Sequence, residues 1–248
     1  MKLNKFISTA FLPFFTLILL FVSCIILKVY PTRLIGAAFC HQIPSRSPAY
    51  NFPFCYRCCG LFFGILFGYI TALLKRRNIL IIPKTDIIFF FLSLFVFCTD
   101  ILNSSKIPEI HIYKESIELR MISSFPLGFF LSEIVCIFLD FWDLLPKCLN
   151  KKTSRTLPYF LVGGLLSFYL TFNKNYFISL FSRILISTGT VIFVSSLYIL
   201  LIFSIKSLKN KIIPIKTIIN VGISLAILQI TLFGYLHLRY IHFEHFFS

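Results

Sequence analysis

The sequence has few charged residues. Asp, Glu, Lys and Arg make up 13% of its 248 residues, whereas about a quarter is usual in a soluble domain. Hydrophobic residues make up 58%, including 32 Phe, and a soluble core of this size could not bury so much apolar surface. The composition excludes a soluble globular domain, as well as disordered, collagen-like and secreted disulfide-rich chains. It predicts an integral membrane protein whose main partner is the lipid bilayer.

Several catalytic and cofactor motifs are also missing. The chain contains no Walker P-loop, Rossmann glycine pattern, H-E-x-x-H helix or G-x-S-x-G elbow, so we expect no nucleotide cofactor and no common serine or zincin chemistry. A net charge of +15 would suggest a nucleic-acid partner in a soluble protein. Here the basic residues stand in short clusters between apolar runs, where they typically determine topology. We therefore expect no nucleic-acid binding.

The apolar runs predict an all-α, polytopic transmembrane helix bundle. A helix needs about 20 apolar residues to cross the hydrocarbon. Runs of this kind indicate about seven spans, with six possible because the second and fifth runs are short. The seven are Phe6–Leu27, Cys59–Leu74, Asp86–Leu102, Phe125–Trp142, Leu157–Phe172, Ile184–Ile205 and Thr217–Leu236.

The basic clusters predict the orientation. Compact groups of Lys and Arg lie in the connections 75–84, 147–155 and 206–216, which share one side of the predicted bundle. Cytoplasmic loops carry such an excess, so we expect the amino terminus inside. The two longest connections, 28–58 and 103–124, then lie outside, and loop-borne function is expected there.

A Cys-His cluster stands out in the first outer connection. Cys40 and His41 are followed by Cys55 and Cys58 in the pattern C-H-x13-C-x2-C. A C-x2-C pair places two sulfurs on one side of a tight turn, which suits a tetrahedral ion. The pair also precedes the second span, where the positive end of the helix and the neighbouring Arg57 favour thiolate over thiol.

Three interpretations of this cluster remain open. The first is a site for zinc or another thiophilic divalent ion, with Cys40, Cys55 and Cys58 as ligands and with His41 and Asp100 competing for the fourth position. A saturated ion would be structural, whereas an ion with bound water could activate that water. The second is a disulfide or thiol-redox pair on the oxidising outer face. The third is inert packing.

The same segment resembles an uncharacterised bacterial membrane family, domain of unknown function 2085. The resemblance rests on Cys40-His41-Gln42, Pro44, Arg46-Ser47, Pro53, Cys55, Arg57-Cys58 and Gly60, and it continues at Asp100, Ser116 and Arg120. This chain departs from the family pattern after Asp100, where Asn103-Ser104 replaces Thr-Gln, and after Arg120, where Ser123-Ser124 replaces Thr-Gly.

The resemblance covers roughly the first half of the chain. It separates a family-like region, 1–142, from three further spans in 143–248. It implies a multi-pass protein of the bacterial inner membrane but no established reaction, so whether the chain is an enzyme, its substrate and its oligomeric state stay open. The polar candidates that accompany the cysteines are Gln42, Arg46, Ser47, Arg57, Ser116 and Arg120.

Two acids within predicted spans are further candidates. A carboxylate at membrane depth is costly unless it is paired or binds a cation. Asp100 is thus the fourth metal ligand, the partner of Arg46, Arg57 or Arg120, or an exposed acid at a helix end. Glu133 lies near the middle of the fourth span. We expect it to be a proton relay or cation site in a transporter, or a buried acid bonded to a neighbouring Ser or Tyr.

A stripe of small residues marks the second span. Gly60, Gly64 and Gly68 recur at every fourth position, which places them on one helix face and lets another helix approach closely. We expect this packing to hold the cysteine-bearing end of the span against a neighbouring helix.

Overall fold

A computed structural model describes residues 2–40, 54–75, 84–103, 116–141, 156–208 and 214–247 of the chain. Every element of secondary structure in these ranges is a helix, which confirms the predicted all-α membrane class. The helices are α1 (Lys2–Leu27), α2 (Pro31–Phe39), α3 (Tyr56–Lys75), α4 (Lys84–Asn103), α5 (Ile117–Phe141), α6 (Thr156–Phe172), α7 (Tyr176–Leu208) and α8 (Ile215–Phe247).

The number of helices that satisfy the length and composition of a membrane span is smaller than predicted. Three described helices qualify by themselves, and a bent pair, Pro13–Leu27 with Pro31–Phe39, would make a fourth. The apolar parts of α3, α4 and α6 reach at most 17 residues, or about 25 Å, which falls short of a hydrocarbon layer of about 30 Å. Three to four candidate spans are shown, rather than about seven.

Helix α2 lies inside a segment that we expected to be a loop. The chain leaves α1 through Lys28, whose positive φ of 52° is the left-handed conformation of a helix C-terminus. The N–H groups of Lys28 and Val29 donate back to the carbonyls of Ile25 and Cys24, as in a Schellman motif. Pro31 then opens α2 at 96° to α1, and its fixed φ suits a first helical position.

Two helices begin earlier than the apolar runs indicated. Helix α5 begins at Ile117 because Ser116 caps it, its Oγ accepting from the N–H of Leu119 at 3.0 Å. Helix α7 begins at Tyr176 because Asn175 caps it, its Oδ1 accepting from the N–H of Phe177 at 2.9 Å. A polar cap starts a helix independently of the apolar run that follows.

The chain forms two compact units, residues 1–42 with 190–248 and residues 43–189. In the first unit, α1 and α2 pack on α8. Their buried core consists of Leu20, Cys24, Leu34, Ala37, Ile227 and Leu238.

In the second unit, the closest packing is between α3 and α5. A Cβ at Gly60 would meet Ser124 Oγ and the Met121 carbonyl, and one at Gly64 would meet main-chain atoms of Phe125 and Phe129. A Cβ at Gly68 would meet Ser132 Oγ and the Phe129 carbonyl. Because the contacts advance in the same direction along both helices, α3 and α5 run parallel.

Helix α6 runs antiparallel to α3 in this unit. Its last residue, Phe172, stacks on Tyr56 with ring centroids 5.2 Å apart, while Gly163, more than two turns earlier, faces the Phe67 ring. The start of α7 returns along α6, and Ser182 Oγ donates to the Leu170 carbonyl at 2.7 Å. The first turns of α3 and α7 therefore lie at the same end of the unit.

Candidate metal centre

The C-x2-C pair forms the first turn of α3. The N–H of Cys59 donates to the Cys55 carbonyl at 2.9 Å, so Cys55 is the N-cap residue and Cys58 is the third residue of the helix. Side chains at these two positions face each other, as they do in a capping box. Both cysteines are half-buried. The spacing thus has a local cause: helix initiation at Tyr56 brings the two thiols together.

Cys40 ends α2. Its N–H donates to the Gly36 carbonyl at 2.8 Å, and the residue itself has an extended conformation, so the chain turns away from the helix at this position. Only 4% of its surface is exposed. A buried thiol at such a position packs as a small apolar group, but it also presents a soft ligand where water is scarce.

The three cysteines form a group of potential ligands. The Sγ atoms of Cys40, Cys55 and Cys58 all lie within 4.8 Å of one another. Thiolates on a tetrahedral zinc ion, with Zn–S bonds of about 2.3 Å, are separated by about 3.8 Å. A contraction of about 1 Å or less would therefore allow one ion to contact all three sulfurs. The described residues can hold a metal ion through this three-cysteine cluster.

The first turn of α3 favours the charged form of two of these ligands. The N–H groups at the start of a helix have no intrahelical acceptor, and they give that end a partial positive charge. A thiolate at such a position is stabilised relative to the thiol. Cys55 and Cys58 occupy this end, so their deprotonation on metal binding costs less than in a neutral apolar site.

Arg57 lies between these two cysteines and pairs with Asp100. Its Nε donates to Asp100 Oδ2 at 2.7 Å, and its Nη2 donates to the Asp100 main-chain carbonyl at 3.1 Å. The Asp100 side chain is 4% exposed and that of Arg57 20%. Asp100 is therefore a buried acid rather than an exposed one at a helix end, and of its predicted partners the structure shows Arg57. Metal coordination by Asp100 stays a prediction, since the group of close ligand atoms among the described residues contains cysteines alone.

Ser116 and Arg120 belong to the start of α5. Ser116 acts as the N-cap described above, and Arg120 is 8% exposed. The carbonyl of Arg120 accepts hydrogen bonds from Ser123 and Ser124. These two serines, which replace the Thr-Gly of the family pattern, thus act within the helix, and Ser124 also packs against Gly60.

Glu133 lies away from the cysteines. It follows Ser132, which packs against Gly68 of α3, and Gly68 is ten residues or about 15 Å along the helix from Cys58. Glu133 is 8% exposed. The structure therefore does not bring the intramembrane acid into the cysteine cluster, and the two remain separate candidates.

Some predicted residues fall outside the described ranges, namely His41, Gln42, Arg46 and Ser47. The structure also buries two residues near the site that were not among the predicted site residues. Asn103, at the end of α4, is fully buried, and Cys59 is fully buried with its Sγ 3.8 Å from the Phe54 carbonyl. The Cys-Cys pair at 58–59 was the available signal for the latter.

Residues 40–134 match the family described as Predicted membrane protein (DUF2085). This confirms the resemblance drawn from the sequence. The DUF2085 segment contains all three clustered cysteines, the Arg57–Asp100 pair, Arg120 and Glu133, and it ends within α5. No curated protein and no solved structure matches the chain.

Proposed function

We propose that this protein is a multi-pass protein of the bacterial inner membrane that binds a zinc ion through Cys40, Cys55 and Cys58 on its extracytoplasmic side. The observation that carries the proposal is the approach of the three Sγ atoms to within 4.8 Å of one another. Thiolates select soft or borderline ions such as zinc over hard ones such as magnesium. The helix start at Cys55 lowers the cost of ionising two ligands.

The fourth ligand decides what the ion does. His41 or Asp100 would saturate a tetrahedral site and make it structural, ordering the connection between α2 and α3. A water molecule in that position would instead be acidified by the ion, which could then activate it against a membrane-proximal substrate. The pairing of Asp100 with Arg57 favours His41 or water, because an acid engaged by a guanidinium is a weaker ligand.

Metal content is the direct test. Detergent-purified wild type, a Cys55→Ser/Cys58→Ser double variant and a Cys98→Ser control would be measured by elemental mass spectrometry, with free thiols counted in parallel. Cys98 is an exposed cysteine of α4, outside the cluster. We expect about one zinc per chain in wild type and control and almost none in the double variant. Equal metal content in all three proteins would contradict the proposal.

The same measurement distinguishes the metal site from the thiol-redox alternative. A thiol-disulfide protein built on Cys55 and Cys58 would carry no metal, and two of its thiols would be missing until a reductant is added. The separation of these cysteines at a helix N-terminus suits that chemistry as well. Missing thiols without metal would replace the zinc proposal with this one.

A second candidate function is transport through Glu133. The observation that favours it is a carboxyl group only 8% exposed within the apolar part of α5, since buried acids in spans commonly mark ion or proton paths. Glu133→Gln should abolish substrate-dependent proton or cation flux in proteoliposomes and leave metal content unchanged. Glu118→Gln, an exposed acid on the same helix, is the matched control and should retain flux.

A further inference from the structure

The connection between α1 and α2, residues 28–30, forms a sharp elbow in the first compact unit. The two helices meet there at 96°, and the N–H of Arg33 donates to the Tyr30 carbonyl at 2.9 Å. Lys28 and Arg33 are exposed, and 80% of the Tyr30 surface is exposed. The last turn of α1 also presents apolar side chains outward, such as Ile25 with 75% of its surface exposed. Exposed apolar and exposed charged groups thus follow each other directly along the chain.

The exposed charges limit how deep the elbow can lie in the membrane. If α1 and α2 formed one broken span, or a re-entrant loop, the elbow would lie within the hydrocarbon. Lys28 and Arg33 would then face lipid at membrane depth, which is costly for any charged side chain. Long basic side chains are instead tolerated at the interface, where their charged ends reach the headgroups. The charges therefore favour an elbow at the interface.

The length of α1 agrees with this position. The apolar run Phe6–Leu27 lies within α1, and as a helix it is about 33 Å long. The hydrocarbon layer is about 30 Å thick. Helix α1 can therefore bring the chain from one interface to the elbow at the other, without a contribution from α2.

The packing of α2 on α8 gives the same level independently. A Cβ at Gly234 of α8 would meet the main-chain carbonyl of Leu34 in α2, so the two helices are in close contact there. The candidate membrane span of α8, Ile215–Leu238, ends four residues after Gly234, about 6 Å along the helix. Arg239 follows it. Helix α2 thus packs where the apolar part of α8 ends, which is where the membrane interface is expected.

The charge of the first unit favours an anionic partner at this level. Residues 1–42 contain four Lys or Arg and no Asp or Glu. Residues 190–248 contain one acid, Glu244, which lies ten residues or about 15 Å beyond Gly234 along α8. Exposed basic residues at a membrane surface attract anionic headgroups. An exposed tyrosine is typical of the same depth, because its ring is apolar and its hydroxyl polar.

We propose that the elbow between α1 and α2 lies at the membrane interface and binds the headgroups of anionic phospholipids through Lys28 and Arg33. Tyr30 lies between the two basic residues in the sequence and anchors the elbow at headgroup level. A zwitterionic headgroup is a weaker partner, because its own positive group offsets the charge of its phosphate. The predicted orientation places the elbow in the outer leaflet. This inference goes beyond the proposed metal centre and does not depend on it.

Quenching of tryptophan fluorescence by brominated lipids tests the depth of the elbow. The chain has one Trp, so Trp142→Phe provides a background in which Tyr30→Trp is the reporter. Phe21→Trp in the same background is the control, because Phe21 is exposed and lies seven residues, or about 10 Å, before Lys28 on α1. The full-length proteins would be reconstituted into phosphatidylcholine vesicles brominated either near the headgroup or near the end of the acyl chains.

We expect Tyr30→Trp to be quenched more by bromine near the headgroup, and Phe21→Trp more by bromine near the chain ends. Stronger quenching of Tyr30→Trp by the deep bromine would place the elbow in the hydrocarbon and overturn the proposal.

The same reporter measures the lipid selectivity of the elbow. Vesicles that mix brominated phosphatidylglycerol with unlabelled phosphatidylcholine, and the reverse mixture, give the relative association constant of the two lipids beside the reporter. We expect phosphatidylglycerol to be favoured by at least about fivefold, the contribution of one basic residue near an anionic surface. Adding Lys28→Asn and Arg33→Gln should bring the ratio to within about twofold of unity. Asparagine suits the left-handed conformation of Lys28.

The matched control for charge is Lys216→Gln. Lys216 is exposed but lies 18 residues, or about 27 Å, before Gly234 on α8, so its removal should change the ratio at the reporter by less than about twofold. No preference for phosphatidylglycerol beside the reporter, or a preference that persists in the folded Lys28→Asn/Arg33→Gln variant, would contradict the proposal.

Salt provides a test that needs no substitution in the two basic residues. Circular dichroism and gel filtration would be used to confirm the fold of every variant. If the double variant does not fold, the ratio would be measured with the reporter alone in about 0.05 M and about 0.5 M NaCl, across which the Debye length falls severalfold. The preference for phosphatidylglycerol should fall by several-fold at the higher concentration, and an unchanged ratio would overturn an electrostatic contact with the headgroups.

Discussion

Arg57 binds Asp100 at two points, the carboxylate and the main-chain carbonyl of the same residue. Its Nε lies 2.7 Å and its Nη2 2.5 Å from Asp100 Oδ2, and Nη2 lies 3.1 Å from the carbonyl oxygen. The pair ties the first turn of α3 to the last turn of α4. Because Arg57 stands between Cys55 and Cys58, the same contact also fixes the turn that presents both thiols.

Removing the Asp100 charge should destabilise the protein. Asp100→Asn keeps the size of the side chain but leaves the half-buried guanidinium with a neutral partner, and we expect a loss of about 1–3 kcal/mol in the free energy of unfolding. Denaturant titration followed by circular dichroism would measure it. A double-mutant cycle with Arg57→Gln should show coupling between the two sites; additive effects would mean that the ion pair contributes nothing.

The α3–α5 contact should not tolerate a side chain at Gly64. In Gly64→Ala the new Cβ meets main-chain atoms of Phe125 and Phe129, which can move only if the helices separate. We expect a loss of about 1–3 kcal/mol in the free energy of unfolding, the usual effect of overpacking.

The matched control is Gly164→Ala on α6. A Cβ there makes ordinary contacts, at 3.4 Å or more, with the Phe125 ring, and alanine has the higher helix propensity. The melting temperature of this variant should equal or exceed that of wild type. A similar loss of stability in both variants would show that the effect of Gly64→Ala comes from the loss of glycine flexibility, rather than from the close approach of α5.

The N-cap residue of α5 should contribute measurably to the stability of the protein. Ser116→Ala removes the acceptor of the Leu119 N–H and should lower the free energy of unfolding by about 1 kcal/mol. Ser116→Asp restores an acceptor and adds a favourable charge at a helix N-terminus, so it should match wild type. Hydrogen exchange of the first turn of α5 would localise the effect, and unchanged exchange in Ser116→Ala would contradict it.

The predicted orientation can be tested at the turn between α6 and α7. Lys174 is exposed there, and the orientation predicted from the basic clusters puts it outside the cell. Lys174→Cys should react with a membrane-impermeant maleimide in intact cells, beyond the labelling of the native cysteines. Reaction only after permeabilisation would reverse the orientation of this part of the chain.

Much of the fold could be predicted because the bilayer selects both for apolar segments and for helical backbone in those segments. The bilayer leaves backbone groups no external partner, so apolar segments become helices. Each predicted span overlaps a described helix, although only three to four of them have the length and composition of a membrane span. The boundaries were less predictable at α5 and α7, since Ser116 and Asn175 start these helices outside the apolar runs. Helix α2 escaped prediction because its nine residues are too short to register as a span.

The composition and local spacing by themselves determined the membrane class, the helical segments and the proximity of Cys55 to Cys58. Hydropathy and helix initiation act over a few neighbouring residues, so a local pattern is enough to specify them. Only the tertiary structure decided that Cys40 reaches this pair, that Asp100 pairs with Arg57, and that α2 packs on α8. Those relations depend on which helices pack together and in what direction, and packing is set by small residues such as Gly64 meeting a distant main chain, a contact that no local pattern specifies.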